Sequence, residues 1–454
     1  MFSKKTMDNR DSIDFATTKV SRLFRRMFIP TLIGMVSIVI LNITDGAFVG
    51  HGCGSDALAA VNIVAPLFLI SSGIGLMFGI GGSVVASIHL SRGKAKAANI
   101  NVTQALIGAL LTGLVLSIAL LSFQREVCMA FGSSEALVGL ACGYMKWIAL
   151  FMPMSIVNMV IMFIIRLDGS PRYAMWVHLL SASLNILFDY LFIFPFGWGL
   201  EGAAMATSFS FAIGGLLGIF YIFFRMERLS LYRLKMSKKS FMLSVRNLGY
   251  QTKLGFSAML GEVAIAAVIV VGNYVFIEWL GEDGVAAYSV ACYCLPIVFM
   301  LGNAVVQSVQ PILSFGHGGG SPERVREACR IAFGTAVASG LGCTIVLALG
   351  SDMISAVFLD VSCRAYELCR EGLPYFAAGF LFVAVNIVAV GYYQSIERSV
   401  RATVYTLLRG FIFVFPCFCV VPSLLGVPGL WLALPIAEGL TLAVIIVTAL
   451  VERK

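Results

Sequence analysis

The chain has 454 residues, of which 59% are apolar and only 12% are charged, whereas an ordinary soluble domain has about 25% charged residues. A water-soluble globule needs more polar surface than this composition supplies, so a soluble enzyme, a disordered regulator and a nucleic-acid-binding protein are excluded. The remaining class is a polytopic membrane protein, and a helical span with its turn uses roughly 30–40 residues. The net charge of +8 is spread along the chain and therefore indicates topology rather than a nucleic-acid partner.

Apolar runs bounded by charges and turn residues predict twelve membrane-spanning segments. The runs are long and lack strict alternation, which favours helices over the strands of a barrel. The expected fold class is therefore an all-α polytopic membrane protein with twelve transmembrane helices. The predicted spans are residues 28–50, 57–88, 100–123, 138–164, 173–195, 201–225, 247–278, 284–312, 328–350, 368–394, 402–422 and 428–451.

The basic residues predict the orientation of these spans. Residues 1–27 are polar and charged, and no cleavable signal peptide is expected because a short apolar run with a small-residue cleavage site is missing. Most of the 32 Lys and Arg residues lie in this leader, in the loops after even-numbered spans and at the C-terminus. Acids collect in the loops after odd-numbered spans. Since basic loops stay on the cytoplasmic side, both termini are predicted to be cytoplasmic.

The two halves of the chain resemble each other at an offset of 227 residues, half of 454, which drifts to 228 near Asn158 and Asn386. Because six spans is an even number, the repeats are expected to run parallel. We predict a leader at 1–27, an N-lobe at 28–225, a basic cytoplasmic linker at 226–246 and a C-lobe at 247–451. Two pseudo-symmetric six-helix lobes around a central cavity suit alternating access, although an ancient duplication without mechanistic meaning is the alternative. The matched residues include Gly34 with Gly261, Gly93 with Gly320, Pro195 with Pro422 and Gly199 with Gly426.

Four acids lie inside predicted spans, namely Asp45, Asp189, Glu262 and Glu438. A charged side chain at the centre of a bilayer costs roughly 2.5–3.5 kcal/mol on insertion scales. Such residues are therefore the sharpest functional signal in the sequence.

Asp45 and Asp189 are expected to converge with Asn185, Tyr144 and Thr207 toward the outer half of the N-lobe. Paired carboxylates with amide, hydroxyl and phenol oxygens fit proton exchange, because a carboxylate beside a like charge tends to hold a proton. The carboxylates with Asn185 and Thr207 equally fit a Na⁺ site built from oxygens. The alternative is a structural polar cluster that holds helices together.

Span one carries a further feature besides its acid. Asp45 follows Asn42 by three residues, so both are expected on one helix face. Pro30 stands at the predicted cytoplasmic start of the same span, where a proline can bend a helix.

The two C-lobe acids have less definite environments. The position of the first half that matches Glu262 holds Met35, so the repeat itself does not require an acid there. Glu262 is therefore predicted to act in coupling or in binding a cationic substrate. Glu438 lies in the middle of its span after Pro435. Its role is either to hold helices together or to take part in transport. The 11 Cys and 4 His residues are scattered without a Cys-x-x-Cys motif, so a metal cluster, a disulfide framework and a cofactor are not expected.

The combined pattern resembles the MATE (multidrug and toxic compound extrusion) transporters, especially the prokaryotic branch with an N-lobe aspartate site. The resemblance covers essentially the whole chain. The residues that carry it are Pro30, Asp45–Gly50, Ala57–Ala60 and Pro66 in the first spans, and Leu184–Ile193, Gly197–Gly199 and Gly202–Thr207 in spans five and six.

This resemblance implies two lobes that face outward or inward, with H⁺ or Na⁺ entry driving the export of drugs or organic cations from a prokaryotic inner membrane. It implies that Asp45, Tyr144, Asn185, Asp189 and Thr207 form the cation or proton site. The C-lobe glutamate of some members matches Glu262. Some relatives carry an aspartate in span ten, whereas residues 374–394 hold no acid here, which favours the N-lobe site. A monomer in the bilayer is expected.

Three other functions are less consistent with the sequence. A flippase of a lipid-linked saccharide in the same superfamily would line its cavity with several basic residues, but only Lys146 and Arg409 lie inside predicted spans. A membrane-embedded enzyme would need a nucleophile and base or a metal site, and no such motif is present. A passive channel is disfavoured by the two-lobe repeat.

Overall fold

The computed structural model describes residues 13–235 and 237–451, and these residues form helices joined by short turns. Residues 1–12 of the predicted leader, Met236 of the predicted linker and the C-terminal residues 452–454 lie outside the described residues. The helices are α1 (Val20–Cys53), α2 (Ser55–Ser91), α3 (Ala95–Ser122), α4 (Gln124–Ala130), α5 (Val138–Leu167), α6 (Pro171–Ile193), α7 (Gly199–Phe224), α8 (Lys238–Gly318), α9 (Pro322–Leu349), α10 (Ser351–Phe358), α11 (Arg364–Ala377), α12 (Gly379–Ser395), α13 (Ser399–Leu407), a π-helical turn (Leu408–Ile412), α14 (Val414–Leu425) and α15 (Val427–Val451).

The helices account for the twelve predicted spans. In the part of the chain that the structure describes, ten helices are long and apolar enough to cross a membrane, and α11 with α12, bent by 41°, makes an eleventh span. The 81-residue α8 is broken at Gly281 and is long enough for two spans. The all-α fold with twelve spans is therefore confirmed.

Positive φ angles at matched glycines reveal the repeat in the backbone. Gly54 separates α1 from α2 with a φ of 88°, and Gly281 breaks α8 with a φ of 68°. The two positions are 227 residues apart, and both use a backbone conformation that glycine adopts without strain. The short helices α4 and α10, which hydropathy did not predict, begin at the same offset. The repeat is thus a repeat of local structure as well as of sequence.

The chain divides into two compact units. Unit 1 comprises residues up to Thr252 together with Pro311–Val325, and unit 2 comprises Lys253–Gln310 and the residues from Arg326 onward. The lobe boundaries at 225 and 247 stay a prediction. The first span, expected to begin at 28, begins at Val20, because the helix continues through the basic end of the leader beyond its apolar run.

Helix α5 forms the centre of unit 1. It packs against α2, α3 and α7, and its residues 160–167 are all buried. Glycines on the three neighbouring helices let their backbones approach α5 closely. A Cβ atom would lie 2.6 Å from Phe163 if added at Gly79, 2.7 Å from Pro153 at Gly113 and 2.7 Å from Ile161 at Gly218.

Gly81 supports a testable prediction about packing in unit 1. A Cβ atom at Gly81 would lie 2.0 Å from the carbonyl oxygen of Gln251, so Gly81→Ala forces backbone apart and should destabilise the protein by roughly 1–3 kcal/mol. Gly249→Ala is the matched control, since a Cβ there meets nothing within 4 Å and alanine favours a helix. Thermal unfolding in detergent measures both, and equal melting temperatures for the two variants would contradict this packing.

Candidate functional site

Four helices of unit 1 bring the predicted N-lobe residues together. Asp45 is on α1, Tyr144 on α5, Asn185 and Asp189 on α6, and Thr207 on α7. Helix α6 packs against both α1 and α7, and α5 packs against α7. Asn185 and Asp189 are four residues apart and therefore lie on one face of α6.

The side chains of this cluster are linked to one another. The Asn185 Nδ2 group donates a hydrogen bond of 3.3 Å to the Thr207 hydroxyl oxygen. The Asp45 carboxylate lies beside Thr207 and Asp189, close enough to interact electrostatically with both. Tyr144 is close enough to both carboxylates to feel their charges. The structure thus brings these five residues close together, and their role as a coupling site stays a prediction.

The cluster is buried and short of hydrogen-bond donors. Asn185 and Asp189 are fully buried, Tyr144 is 1% exposed and Thr207 4%, while Asp45 is half-buried. Within the described residues, both Asp189 carboxylate oxygens, Asp45 Oδ1 and Asn185 Oδ1 accept no hydrogen bond. Such oxygens are costly to bury unless something positive or protonated meets them. The arrangement therefore favours a bound proton or cation.

Two chemistries satisfy these oxygens. Two ionised carboxylates have no hydrogen to share, so their contact is a hydrogen bond only when one carries a proton. The same carboxylates with the Asn185 and Thr207 oxygens make an all-oxygen ligand set of the kind that hard cations prefer. A larger metal cluster is not indicated, since no group of three or more His, Cys, Asp or Glu residues in the described ranges could hold a metal.

Helix α1 links this cluster to Pro30. Pro30 is buried inside α1, about ten residues after the helix begins rather than at its start as predicted, because the helix extends into the basic leader. Proline has no N–H group to donate to the carbonyl of Arg26, which removes one hydrogen bond of the helix. Asn42, expected on the face of Asp45, is exposed and is not part of the buried cluster.

Unit 2 holds a separate buried charged network around Glu438. Arg409 donates to Glu438 Oε1 from Nη2 at 2.8 Å and from Nε at 3.1 Å. Asn386 Nδ2 donates to Glu438 Oε2 at 2.6 Å. The Arg409 guanidinium also lies 5.2 Å from the centre of the Phe299 ring. Glu438 is thus already neutralised by a cation of its own unit.

Glu262 lies near this network without joining it. A small cavity of about 20 Å³, large enough for about one water, is lined by Arg409, Glu438 and Gly261, the neighbour of Glu262. Among the described residues, Glu262 makes no hydrogen bond or ion pair, and it is partly exposed. Of the two predicted C-lobe acids, only Glu262 is therefore free to receive a proton or a cation.

Sequence reasoning missed the pairing of Arg409 with Glu438 and Asn386. The signal was present, because all three are polar residues inside apolar spans, but the helix rotations that join them are not readable from one sequence. The offset of the repeat does mark a difference between the lobes. The C-lobe counterparts of Asp45 and Thr207 are Gly272 and Leu434, so the N-lobe cluster is not duplicated.

The MatE family model matches the chain twice, over residues 30–191 and 258–419. The two matches are displaced by 228 residues and together cover more than half of the chain. This agrees with the offset found from the glycines and places both halves in one family.

Curated and structural relatives match over nearly the full length. The multidrug export protein MepA of Staphylococcus aureus (strain N315) is 23% identical over 442 residues, which is 97% of this chain and 96% of that protein. A multidrug resistance MATE family transporter of the MOP superfamily in an outward-facing conformation aligns with a TM-score of 0.88 and 20% identity, covering 96% of this chain and 97% of that one. A MOP superfamily transporter from Pyrococcus furiosus aligns with a TM-score of 0.89 and 20% identity, covering 98% of each chain. These structural matches establish the fold.

The Arg409–Glu438 pair supports a stability prediction. Glu438→Gln should cost roughly 3–5 kcal/mol because it leaves a buried guanidinium without its counter-charge. The matched control is Asp352→Asn, which breaks the exposed ion pair with Arg370 and should cost about 0–1 kcal/mol. Thermal unfolding in detergent measures both variants.

The double variant Arg409→Met with Glu438→Met removes both charges at once and should recover most of the lost stability, since apolar replacements of a buried pair are often neutral. Equal melting temperatures for Glu438→Gln and Asp352→Asn would contradict the buried pair.

Proposed function

The chain belongs to the MatE family, and we propose that it is a secondary active multidrug efflux antiporter that exports organic, often cationic, compounds in exchange for H⁺ or Na⁺ by alternating access. As a member of this family it is a transporter rather than an enzyme. The observation that carries the proposal is the pair of the half-buried Asp45 and the buried Asp189, three of whose four carboxylate oxygens accept no hydrogen bond from described residues.

The proposed coupling step follows from the charge of this pair. When both carboxylates are ionised they repel each other, because burial weakens the screening of like charges. A proton or Na⁺ between them removes the repulsion and draws Asp45 on α1 toward Asp189 on α6. Since α1 packs along α6 and contains Pro30, arrival of the cation favours one shape of α1 and its departure the other. Two shapes of one helix provide the two states that antiport requires.

The relatives and the charged residues inside the spans support organic cations as the substrate class. The relative MepA is named for multidrug export. A flippase of a lipid-linked saccharide needs basic side chains free to hold a pyrophosphate. Of the two bases that the sequence places in spans, Arg409 is tied to Glu438 and Lys146 is exposed beside Trp147. This favours organic cations over anionic lipid-linked sugars.

We also propose the membrane, the orientation and the oligomeric state of the protein. The basic loops support cytoplasmic termini, and the prokaryotic sources of the relatives support our expectation of a prokaryotic inner membrane. We expect a monomer with no cofactor apart from the coupling ion. Glu262 in unit 2 is the second candidate for coupling or for contact with a cationic substrate, whereas Glu438 stabilises its helix through Arg409.

Neutralising either aspartate tests the coupling site. In proteoliposomes, Asp189→Asn and Asp45→Asn should lower gradient-driven efflux of a tetraphenylphosphonium probe about tenfold or more. Each variant removes the charge-assisted interaction between a carboxylate and the coupling cation, and a hydrogen bond to a charged group is worth about 1.5–3 kcal/mol. The control is Glu126→Gln, an exposed acid of unit 1 outside the cluster, and it should keep full activity.

The same preparation decides the coupling ion. A pH gradient and a Na⁺ gradient are imposed separately on the wild type, and the ion that drives efflux is the one exchanged. Full efflux by Asp189→Asn under either gradient would show that the proposed site is not the coupling site.

A further inference from the structure

A cleft of unit 1 lies where the start of α1 meets the start of α6. Its volume is about 310 Å³, and it is lined by Arg25, Arg26, Ile29 and Pro30 of α1 and by Pro171 and Arg172 of α6. The cleft is at the opposite end of these helices from Asp45 and Asp189, so it is not part of the proposed coupling site. The topology predicted from the basic residues puts this end at the cytoplasmic surface.

The lining of the cleft is strongly cationic. Among the described residues, its lining contains three arginines and no acid, and Arg25 and Arg26 make no hydrogen bond or ion pair with another described residue. Asp14 follows the remaining lining residue, Ile13, but its carboxylate is engaged by the Thr17 hydroxyl at 2.5 Å and the Ala16 amide at 2.9 Å. These hydrogen bonds hold the pKa of Asp14 below its ordinary value. The cleft therefore presents the guanidinium groups of Arg25 and Arg26, and the planar fork of a guanidinium binds phosphate oxygens in pairs.

An exposed apolar stripe leads away from the cleft along α1. The large apolar residues at 29, 33, 36, 40 and 43 of α1 are all exposed, and their spacing of three and four residues places them on one helix face. Ile29 belongs both to this stripe and to the cleft.

Helix α6 carries a matching stripe. Trp176, Leu180 and Leu187 are exposed, and Trp176 lies one turn after Arg172. Because α1 packs along α6, cationic groups and apolar stripes belong to the same pair of helices. A phosphate on the arginines would thus have apolar surface beside it.

We propose that this cleft binds the phosphate headgroup of an anionic phospholipid, with its acyl chains along the apolar stripes of α1 and α6. Basic pockets between helices on the cytoplasmic side suit such headgroups. A free phosphate would satisfy the arginines but would leave the stripes unused, so the stripes favour the lipid.

The position of the cleft connects the lipid to the shape of α1. Arg25 and Arg26 precede Pro30 on α1, whereas Arg172 is on α6. A headgroup bound by both helices would link the first turns of α1 to α6. This link lies on the N-terminal side of Pro30, where the helix lacks one hydrogen bond. Occupancy therefore resists bending of the helix that carries Asp45.

Lipid retention on the purified protein tests the proposal independently of transport. Delipidated protein in detergent is titrated with phosphatidylglycerol, with phosphatidylcholine and with inorganic phosphate, and bound lipid is counted by native mass spectrometry. We expect phosphatidylglycerol to be retained preferentially. The triple variant R25Q/R26Q/R172Q should bind it at least about tenfold more weakly, since each basic residue near anionic lipid contributes about 1 kcal/mol.

Two further variants keep the result interpretable. Arg22→Gln removes an exposed arginine of α1 outside the cleft and should leave retention unchanged. R25K/R26K/R172K keeps the charge and should retain more lipid than the glutamine variant, because lysine binds phosphate as a point charge. The proposal is overturned if the wild type does not distinguish the two lipids, if inorganic phosphate displaces phosphatidylglycerol, or if R22Q loses as much lipid as R25Q/R26Q/R172Q.

Discussion

The contact between Asp45 and Asp189 is the interaction on which the rest of this protein depends. Two carboxylates inside an apolar bundle cannot both stay ionised and unpartnered, and no described residue donates a hydrogen bond to Asp45 Oδ1 or to either Asp189 carboxylate oxygen. A proton or cation is the missing partner. Because one carboxylate is on α1 and the other on α6, the charge state of the pair acts directly on how these helices pack. Binding of the cation and the change in packing of α1 against α6 are therefore directly coupled.

The two halves share a backbone plan but use buried charge differently. Gly54 and Gly281 interrupt the helices at matched positions. Among the described residues, the Asp45 and Asp189 cluster of unit 1 contains two acids and no base, whereas unit 2 pairs Glu438 with Arg409. Breaking a buried ion pair costs much free energy, whereas the charge of two neighbouring acids without a base changes readily when a cation binds. We infer that duplication supplied the scaffold and that divergence placed a switchable site in unit 1 and a fixed ion pair in unit 2.

Hydropathy and charge were sufficient to predict the twelve spans, because a bilayer requires long apolar helices. The helices α4 and α10 were missed because seven and eight residues are too short to give a hydropathy signal. Arg166 lies beyond the end of the predicted span 138–164, yet it is buried at the end of α5, since the helix continues to Leu167. The members of the Asp45 cluster could be chosen one by one as polar residues in spans. Their links, and the pairing of Arg409 with Glu438, depend on helix rotations that only the three-dimensional packing determines.

The most direct test of the central claim is to count the cations released when substrate binds. Purified protein in weakly buffered detergent solution receives a tetraphenylphosphonium probe, while pH and Na⁺ electrodes follow the solution. The account predicts release of about one cation, H⁺ or Na⁺, per protein, because one charge satisfies two carboxylates, and no release from Asp189→Asn. Probe binding to the wild type without release of either ion, or equal release from Asp189→Asn, would contradict it.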